Sequence, residues 1–230
     1  MNESDSILIK YMVESFDHSQ PVSKKYESKP FITISRDFGC QANTIARMLK
    51  EEFQKKGQKW SILNKEIIME SARKLEMDPR QVKEISESTD RTVMDEVLSA
   101  LSQKYYKSDR KIRQTIASVV SSAAIDGNTI IVGRAGAAIT QGLTPSIHIK
   151  LFAPIEWRLA SLMQRYHANR EHMMKQITST DLSRHKMFSQ VMKGTENVNE
   201  LYDLHVNCSK LTHQQIVAVI MQLAEEKFRK

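Results

Sequence analysis

The turn after the first apolar run of the chain has residue types that could bind phosphate. The run Phe31–Ile34 is β-branched, and a helical pattern that ends near Gly57 follows the turn. In a parallel sheet, the first turn from strand to helix gathers backbone N–H groups and a helix N-terminus, which attract phosphate. The window Asp37–Thr44 matches the phosphate-loop pattern G-x-x-x-x-G-K-[ST] at the last position, Thr44. The Thr44 hydroxyl is therefore a candidate ligand of Mg²⁺.

Three positions of this turn depart from the phosphate-loop pattern. Asp37 and Ala42 replace its glycines, and Asn43 replaces its lysine. The residues alone leave two interpretations open: a phosphate site, or an ordinary connection in which Gly39 allows a tight turn. Arg36 is a nearby cation that could offset phosphate charge, or it could be a solvated flank of the strand.

The elements that would position this turn alternate between strands and helices. Short apolar or alternating runs predict five strands: Phe31–Ile34, Trp60–Leu63, Thr129–Val132, Ser146–Phe152 and Tyr202–Val206. Helical patterns follow them, including a long region over about 64–126 and a polar, basic one from Asn169 to Lys193. This alternation predicts an α/β domain around a mostly parallel five-stranded sheet flanked by helices.

Composition and charge limit the classes of function. The chain has 230 residues, 40% of them hydrophobic and 27% charged, which fits one large folded domain with inserts. We divide it into an N-terminal helix and linker (1–29) and a main domain (30–230). Two cysteines fit a reducing compartment, and no apolar run suggests a membrane span, so we expect a cytoplasmic protein. A net charge of +7 favours a polyanionic partner, either nucleic acid or a phosphorylated small molecule.

Six short motifs occur in an order and spacing that resemble a known family. They are FITISRDFG (31–39), NKEII (64–68), IIVGRAG (130–136), APIEWR (153–158), TDLSR (180–184) and YDLHVNCS (202–209). From about Pro30 to the C-terminus the chain resembles the cytidylate kinase-like family, a branch of the nucleoside monophosphate kinases. The resemblance implies a three-layer P-loop kinase-like fold with a helical acceptor-binding insert over about 64–126 and a lid over about 165–193. It implies ATP-dependent phosphorylation of CMP or dCMP with Mg²⁺.

On the donor side, the resemblance implies that the turn after the first strand binds ATP. The expected contacts are Arg36, Gly39, Asn43 and Thr44, with Thr44 also on the metal. Members of the family usually carry two glycines and then Arg or Lys where this chain has Gln41-Ala42-Asn43. The departure falls where a cation would neutralise the β- and γ-phosphates during transfer.

On the acceptor side, the resemblance implies that Arg134 contacts the phosphate of the monophosphate. Asp181 and Arg184, three residues apart on one helix face, would hold the sugar or base and the acceptor phosphate. Asn64 and Lys65 fall in the monophosphate-binding region. The alternatives are that Arg134 caps a strand end, which we favour less than a phosphate contact, and that Asp181 and Arg184 form an ordinary ion pair.

The lid of such a kinase brings arginines to the transferring phosphate and excludes water. By resemblance, the catalytic arginines are Arg158, Arg165 and Arg184, and Arg170 is a further candidate in the lid. Without the resemblance, a charge run of this kind indicates a solvated helix face.

Two other classes of function stay open. One is a catalytically weak or inactive nucleotide-binding or regulatory protein on the same fold, because the loop lacks its cation. The other, less favoured, is a basic nucleic-acid-binding protein, suggested by the net charge and by the mixed cationic and aromatic run Lys104–Lys107. Small-molecule nucleotides are the expected partners, with no membrane partner, and the oligomeric state is open.

Overall fold

The computed structural model describes residues 27–80, 82–83, 109–192 and 198–229. The predicted N-terminal helix, the run Lys104–Lys107 and parts of the predicted acceptor insert and lid lie outside these residues. The chain forms two compact units. One contains Lys65–Ser122, and the other contains Ser23–Asn64 with Ala123–Lys230.

The second unit is built on a five-stranded sheet. Its strands are β1 (Glu27–Arg36), β2 (Ser61–Leu63), β3 (Thr129–Val132), β4 (Thr144–Phe152) and β5 (Leu204–Asn207). Their order across the sheet is β2-β3-β1-β4-β5, and each neighbouring pair is parallel. The prediction of an α/β fold around a mostly parallel five-stranded sheet is confirmed. β1 lies at the centre, so its carboxyl end is flanked by the ends of β3 and β4.

Several strand boundaries differ from the prediction, and the largest difference is in β1. β1 begins at Glu27 rather than Phe31, because an irregularity in its pairing with β4 accommodates Pro30 between Glu27 and Phe31. Proline has no N–H to donate and is tolerated at such an irregularity. At one edge of the sheet, β5 begins at Leu204 rather than Tyr202.

Helices connect the strands in the described part of the chain. They are α1 (Ala42–Lys55), α2 (Glu66–Leu75), α3 (Asp109–Asp126), α4 (Gly136–Ile139), α5 (Ile155–Tyr166), α6 (Arg170–Val191) and α7 (His213–Lys227), with a short 3₁₀ helix at Val198–Leu201. None of these described helices is both long and apolar enough to span a membrane.

One face of the sheet packs against α1 and α7. The inward residues of α1 recur at helical spacing, with Ile45 and Leu49 fully buried against Ile32 and Ile34 of β1. α7 contributes Ile216 and its neighbours to the same core. Burying a large aliphatic side chain contributes roughly 1.5–3 kcal/mol, so this layer fixes the sheet that carries the site.

An aromatic stack joins the end of α1 to β2 and the C-terminus. The rings of Phe53 and Trp60 are stacked with centroids 4.0 Å apart. Phe228, just after α7, lies 6.1 Å from the Trp60 ring. Trp60 is 5% exposed, and its indole N–H donates to Gln58.

The opposite face of the sheet carries a buried histidine. His148 of β4 contacts Thr33 Oγ1 through Nδ1 at 2.7 Å and Ser146 Oγ through Nε2 at 3.3 Å. Burial lowers the pKa of His148 to about 4, so the imidazole is neutral at pH 7. The two hydroxyls satisfy both ring nitrogens of the neutral form.

The unit Lys65–Ser122 is helical in its described part. α2 buries Ile67, Ile68 and Leu75 on one face and pairs Arg73 with Glu70 on its exposed face. Ile112 of α3 is fully buried as well.

Candidate functional site

A cavity of about 730 Å³ opens in the sheet unit at the carboxyl ends of β1, β3 and β4. In parallel α/β sheets, ligands bind at this edge. The cationic side chains that line it are Arg36, Arg134, Lys150, Arg158 and Arg184. The acidic ones are Asp37 and Asp181. Cations therefore outnumber carboxylates around one concave surface, which favours an anionic ligand.

Arg36, the last residue of β1, lies over the backbone of Gly133. A Cβ at position 133 would overlap the Arg36 guanidinium, and Gly133 has φ +82°. Burial, together with the nearby positive charges of Arg184 and Arg134, lowers the pKa of Arg36 to about 9. The three guanidinium groups are thus close enough to repel one another, and a bound anion would relieve this repulsion.

The turn after β3 holds Arg134 in an uncommon backbone conformation. Arg134 and Ala135 have φ of 52° and 53°, directly after the left-handed Gly133. Residues with a Cβ lose roughly 1–2 kcal/mol each in this region. Such strain concentrates at binding and catalytic sites, where the rest of the structure maintains it.

Asp181 of α6 links the β1–α1 loop to α5. One carboxylate oxygen accepts the backbone N–H of Phe38 at 2.7 Å, and the other accepts Arg158 Nη1 at 2.5 Å. Arg158 is itself buried, with Nε donating to the Ala153 carbonyl at 3.0 Å and Nη1 to the Phe38 carbonyl at 3.2 Å. This network holds the loop in place, and it makes Arg158 a residue that orders the loop as well as lining the cavity.

Arg184 lies one helical turn after Asp181 on the same face of α6. Its Nη1 donates to the carbonyl of Arg36 at 3.2 Å and is 3.9 Å from Asp181 Oδ1. Its guanidinium carbon lies 5.7 Å from the centroid of the Phe38 ring. Asp181 and Arg184 therefore reach the same cavity.

Lys150 was missed by the sequence analysis. Its Nζ donates to Asp37 Oδ1 at 2.6 Å, at the edge of the cavity next to the loop. Nearby, the hydroxyl of Tyr202 is hydrogen-bonded to Ser35, and burial raises the pKa of Tyr202. The signal was present in the sequence, because Lys150 is a lone charge between the buried Ile149 and Leu151.

The remaining predicted donor residues lie outside the lining of this cavity. Gly39 has φ +102° and packs against the stem of Arg158. Asn43 is exposed on α1, and its Oδ1 accepts a hydrogen bond from Asn64 Nδ2 at 2.8 Å. Thr44, half-buried in the first turn of α1, donates its backbone N–H to the Gln41 carbonyl.

The other predicted residues are on exposed surfaces. Arg165, in the last turn of α5, is near His213, where burial lowers the pKa of the imidazole and the arginine charge lowers it further. Arg170 forms an exposed ion pair with Glu156. Lys65 belongs to the other unit and is exposed before α2.

The cavity also has an apolar side. Phe152, Ile155, Leu182 and Val198 line it with 37–52% of their surface exposed. Together with the cations, they form a pocket with one charged and one apolar surface. Such a pocket suits a ligand that joins phosphate to a flat or apolar group.

The residues present can be compared with the needs of a nucleotide and its metal. The cationic cavity suits phosphate groups, and a hydroxyl such as that of Thr44 is an ordinary Mg²⁺ ligand alongside phosphate oxygens and water. In the described part of the chain, no three His, Cys, Asp or Glu side chains cluster to hold a metal.

The fold and cavity define an α/β protein with a cationic cavity at the carboxyl edge of a parallel sheet. The model of the cytidylate kinase-like family matches residues 31–210. The chain therefore belongs to the cytidylate kinase-like family.

Comparisons with individual proteins are more distant. A solved structure of an uncharacterized protein from Eubacterium ventriosum is similar with a TM-score of 0.59 and 14% identity, over 86% of this chain and 99% of that one. This likeness shows the fold alone. Shikimate kinase from Bacteroides thetaiotaomicron gives a TM-score of 0.44 with 10% identity, over 86% of this chain and 97% of that one.

One curated relative matches part of the chain. It is a uronate isomerase of Corynebacterium glutamicum, 25% identical over 105 residues, which are 46% of this chain and 20% of the relative. The match thus spans about a fifth of the length of that protein.

Proposed function

We propose that the chain is a nucleoside monophosphate kinase-like phosphotransferase that uses ATP and Mg²⁺ to phosphorylate CMP or dCMP. Membership of the cytidylate kinase-like family supports the class of reaction. The specific acceptor follows from the resemblance of the six motifs.

The observation that carries this proposal is the convergence of arginines on one cavity. Arg36, Arg134 and Arg184 come from β1, from the turn after β3 and from α6. Sequence-distant guanidinium groups that repel one another are costly to maintain without an anionic ligand. Guanidinium forks suit phosphate oxygens, since they donate two parallel hydrogen bonds.

On the donor side, the proposal assigns the phosphates of ATP to the β1–α1 loop. Arg36, Gly39, Asn43 and Thr44 are the proposed contacts, with Thr44 as the Mg²⁺ ligand. Mg²⁺, which arrives with the nucleotide, would neutralise phosphate charge. Because Asn43 brings no charge, the cavity cations have to provide the rest of the neutralisation.

On the acceptor side, Arg134 and Arg184 are proposed to bind the phosphate of the monophosphate. Asp181 would contact the sugar or base through the part of its carboxylate surface that remains exposed, 28% of the side chain. Asn64 is proposed to hydrogen-bond to the base, and Lys65 is proposed as a basic residue of the monophosphate-binding region. The apolar side of the cavity, with Phe152 and Leu182, suits the face of a base.

The proposed mechanism is in-line transfer without a covalent intermediate. Arg184, Arg158 and Arg165 would stabilise charge on the transferring group, with Arg165 approaching only if its surroundings rearrange, because it lies outside the lining of the cavity. The buried Arg158 would also keep the loop rigid through Phe38 and Asp181. Positioning and charge neutralisation then account for the rate.

The test is ADP formation by the purified protein with ATP and Mg²⁺, using CMP, dCMP, UMP, AMP or GMP as acceptor. We expect turnover that depends on CMP or dCMP and is lost in Arg184→Ala. The matched control is Arg229→Ala, which removes an arginine whose side chain is 75% exposed and lies outside the cavity lining. Lack of turnover with every acceptor, or equal loss in both variants, would overturn the proposal.

A second function has its own supporting observation. The loop N–H of Phe38 is bonded to Asp181, and Asn43 is bonded to Asn64, so two groups expected at the donor phosphates are engaged within the chain. A nucleotide-binding or regulatory protein without transfer would fit this arrangement. CMP binding without ADP formation would favour it over the kinase.

A further inference from the structure

We propose that Lys150 binds the donor phosphates and replaces the loop lysine whose place is taken by Asn43. This inference rests on the proposed function, because it deepens the donor side of the same site. The β1–α1 loop itself brings no cation, since Phe38–Thr44 contains neither lysine nor arginine. A cation for the loop therefore has to come from another element.

Lys150 is placed to provide that cation. In the pairing of β1 and β4 it is the partner of Ser35, one residue before the end of β1. Its neighbours Ile149 and Leu151 are fully buried in the core. Successive side chains of a strand point to opposite faces, so Lys150 is directed away from that core and lines the cavity.

Asp37 holds the ammonium group at the start of the loop. The backbone N–H of Asp37 donates to the Leu151 carbonyl at 3.0 Å, and its Oδ1 accepts from Lys150 Nζ at 2.6 Å. The loop is thereby attached to β4 at two points beside Lys150. An ammonium group has three N–H donors, so one can stay on Asp37 while others bond to phosphate oxygens. The Lys150 side chain is 28% exposed, which leaves it accessible.

The other cations have different surroundings. Arg36 is held over Gly133, on the β3 side of β1, beside Arg134 and Arg184. Lys150 approaches from the β4 side and contacts the first residue of the loop. A phosphate group in the cavity can therefore contact cations on both sides of β1, Arg36 on the β3 side and Lys150 on the β4 side.

Lys150 could instead have a purely structural role, in which it only neutralises Asp37. The phosphate-binding role and the structural role predict different effects of Asp37→Asn on phosphate affinity. If Lys150 binds phosphate, Asp37→Asn removes a negative charge next to the ligand, and affinity is retained or rises. If Lys150 only forms an ion pair with Asp37, Lys150→Gln and Asp37→Asn break the same contact and change the phosphate affinity equally.

The experiment is calorimetric titration of the full chain with inorganic tripolyphosphate at low ionic strength. The variants are Lys150→Gln, Asp37→Asn, Lys150→Arg and Lys227→Gln. Lys227 is a matched control, because its Nζ is also 2.6 Å from an aspartate, Asp203, with side-chain exposures of 39% and 29%. Lys227 lies outside the lining of the cavity.

We expect Lys150→Gln to weaken tripolyphosphate binding tenfold to about a hundredfold, the range for losing a charge-assisted hydrogen bond. Asp37→Asn and Lys227→Gln should bind at least as tightly as wild type, and Lys150→Arg should recover part of the loss. If Lys150→Gln does not fold, the Cε signal of Lys150 in wild-type protein that carries ¹³C-labelled lysine gives the same answer, by shifting or not when tripolyphosphate is added.

Unchanged binding by Lys150→Gln, an equal loss in Asp37→Asn, or a Lys150 signal that does not shift would overturn the inference. These outcomes are separable from failure of the proposed function. Tripolyphosphate binding that depends on Lys150, without ADP formation, would contradict the kinase and keep the role of Lys150. ADP formation by the wild type, with unchanged tripolyphosphate binding in Lys150→Gln, would support the kinase and contradict the role of Lys150.

Discussion

The guanidinium of Arg36 occupies the space in which residue 133 would place a side chain, so its position depends on Gly133 having none. Gly133→Ala should displace Arg36 and weaken binding of phosphate ligands about tenfold, the lower end for a charge-assisted contact. The measurement is tripolyphosphate affinity by calorimetry.

Gly142→Ala is the matched control for this change. Gly142 has φ +85°, close to the +82° of Gly133, and no atom within 4 Å of an added Cβ. It therefore imposes the same backbone strain, roughly 1–2 kcal/mol, without moving an arginine. Equal loss of affinity in both variants would show that strain, and not displacement of Arg36, is responsible.

The contacts of Asp181 with Phe38 and Arg158 should contribute to stability. Asp181→Asn keeps the size of the side chain and removes the charge opposite the buried Arg158. We expect the free energy of unfolding in urea to fall by about 1–2 kcal/mol. Glu156→Gln breaks the exposed pair with Arg170 and should change stability little, because exposed ion pairs are screened. A similar change in both variants would contradict the role of this network.

Restoring the phosphate-loop pattern should strengthen donor binding. The double change Ala42→Gly with Asn43→Lys adds the missing cation and the second glycine, and we expect about a tenfold rise in ATP affinity. Ala42→Gly with Asn43→Gln is the matched control, since it changes the same two loop positions without adding charge. If the double variant gains neither affinity nor turnover, the donor phosphates bind elsewhere.

The buried His148 predicts a dependence of stability on pH. Burial lowers its pKa from 6.5 to about 4 in the folded chain, so between these values the unfolded chain binds more protons. Stability should therefore fall as pH decreases from about 6.5 to 4, by up to about 3 kcal/mol from this residue. His148→Asn, which can still hydrogen-bond to Thr33, should flatten the curve of unfolding free energy against pH. An unchanged slope would assign the effect to other groups.

Much of the fold could be predicted, because β-branched runs such as Thr129–Val132 are bounded by glycines and lie between helical patterns. The extension of β1 to Glu27 could not, since a proline usually ends such a run. At the site, Arg134 and Arg184 follow from the motifs. The contact between Phe38 and Asp181 joins residues that are 143 positions apart in the sequence. Local sequence patterns carry no information about such a contact. Lys150 was overlooked because the run Ser146–Phe152 was interpreted only as a strand, without asking which of its side chains reach the site.

The stack of Phe53, Trp60 and Phe228 gives the sheet unit an internal optical reporter. The chain has two tryptophans, and Trp157→Phe would leave the buried indole of Trp60 as the only one. Its emission would then shift to longer wavelength when Phe228 separates from the Trp60 ring and water reaches the indole. Undocking of the C-terminal helix can thus be timed by fluorescence in every variant proposed above, separately from ligand binding.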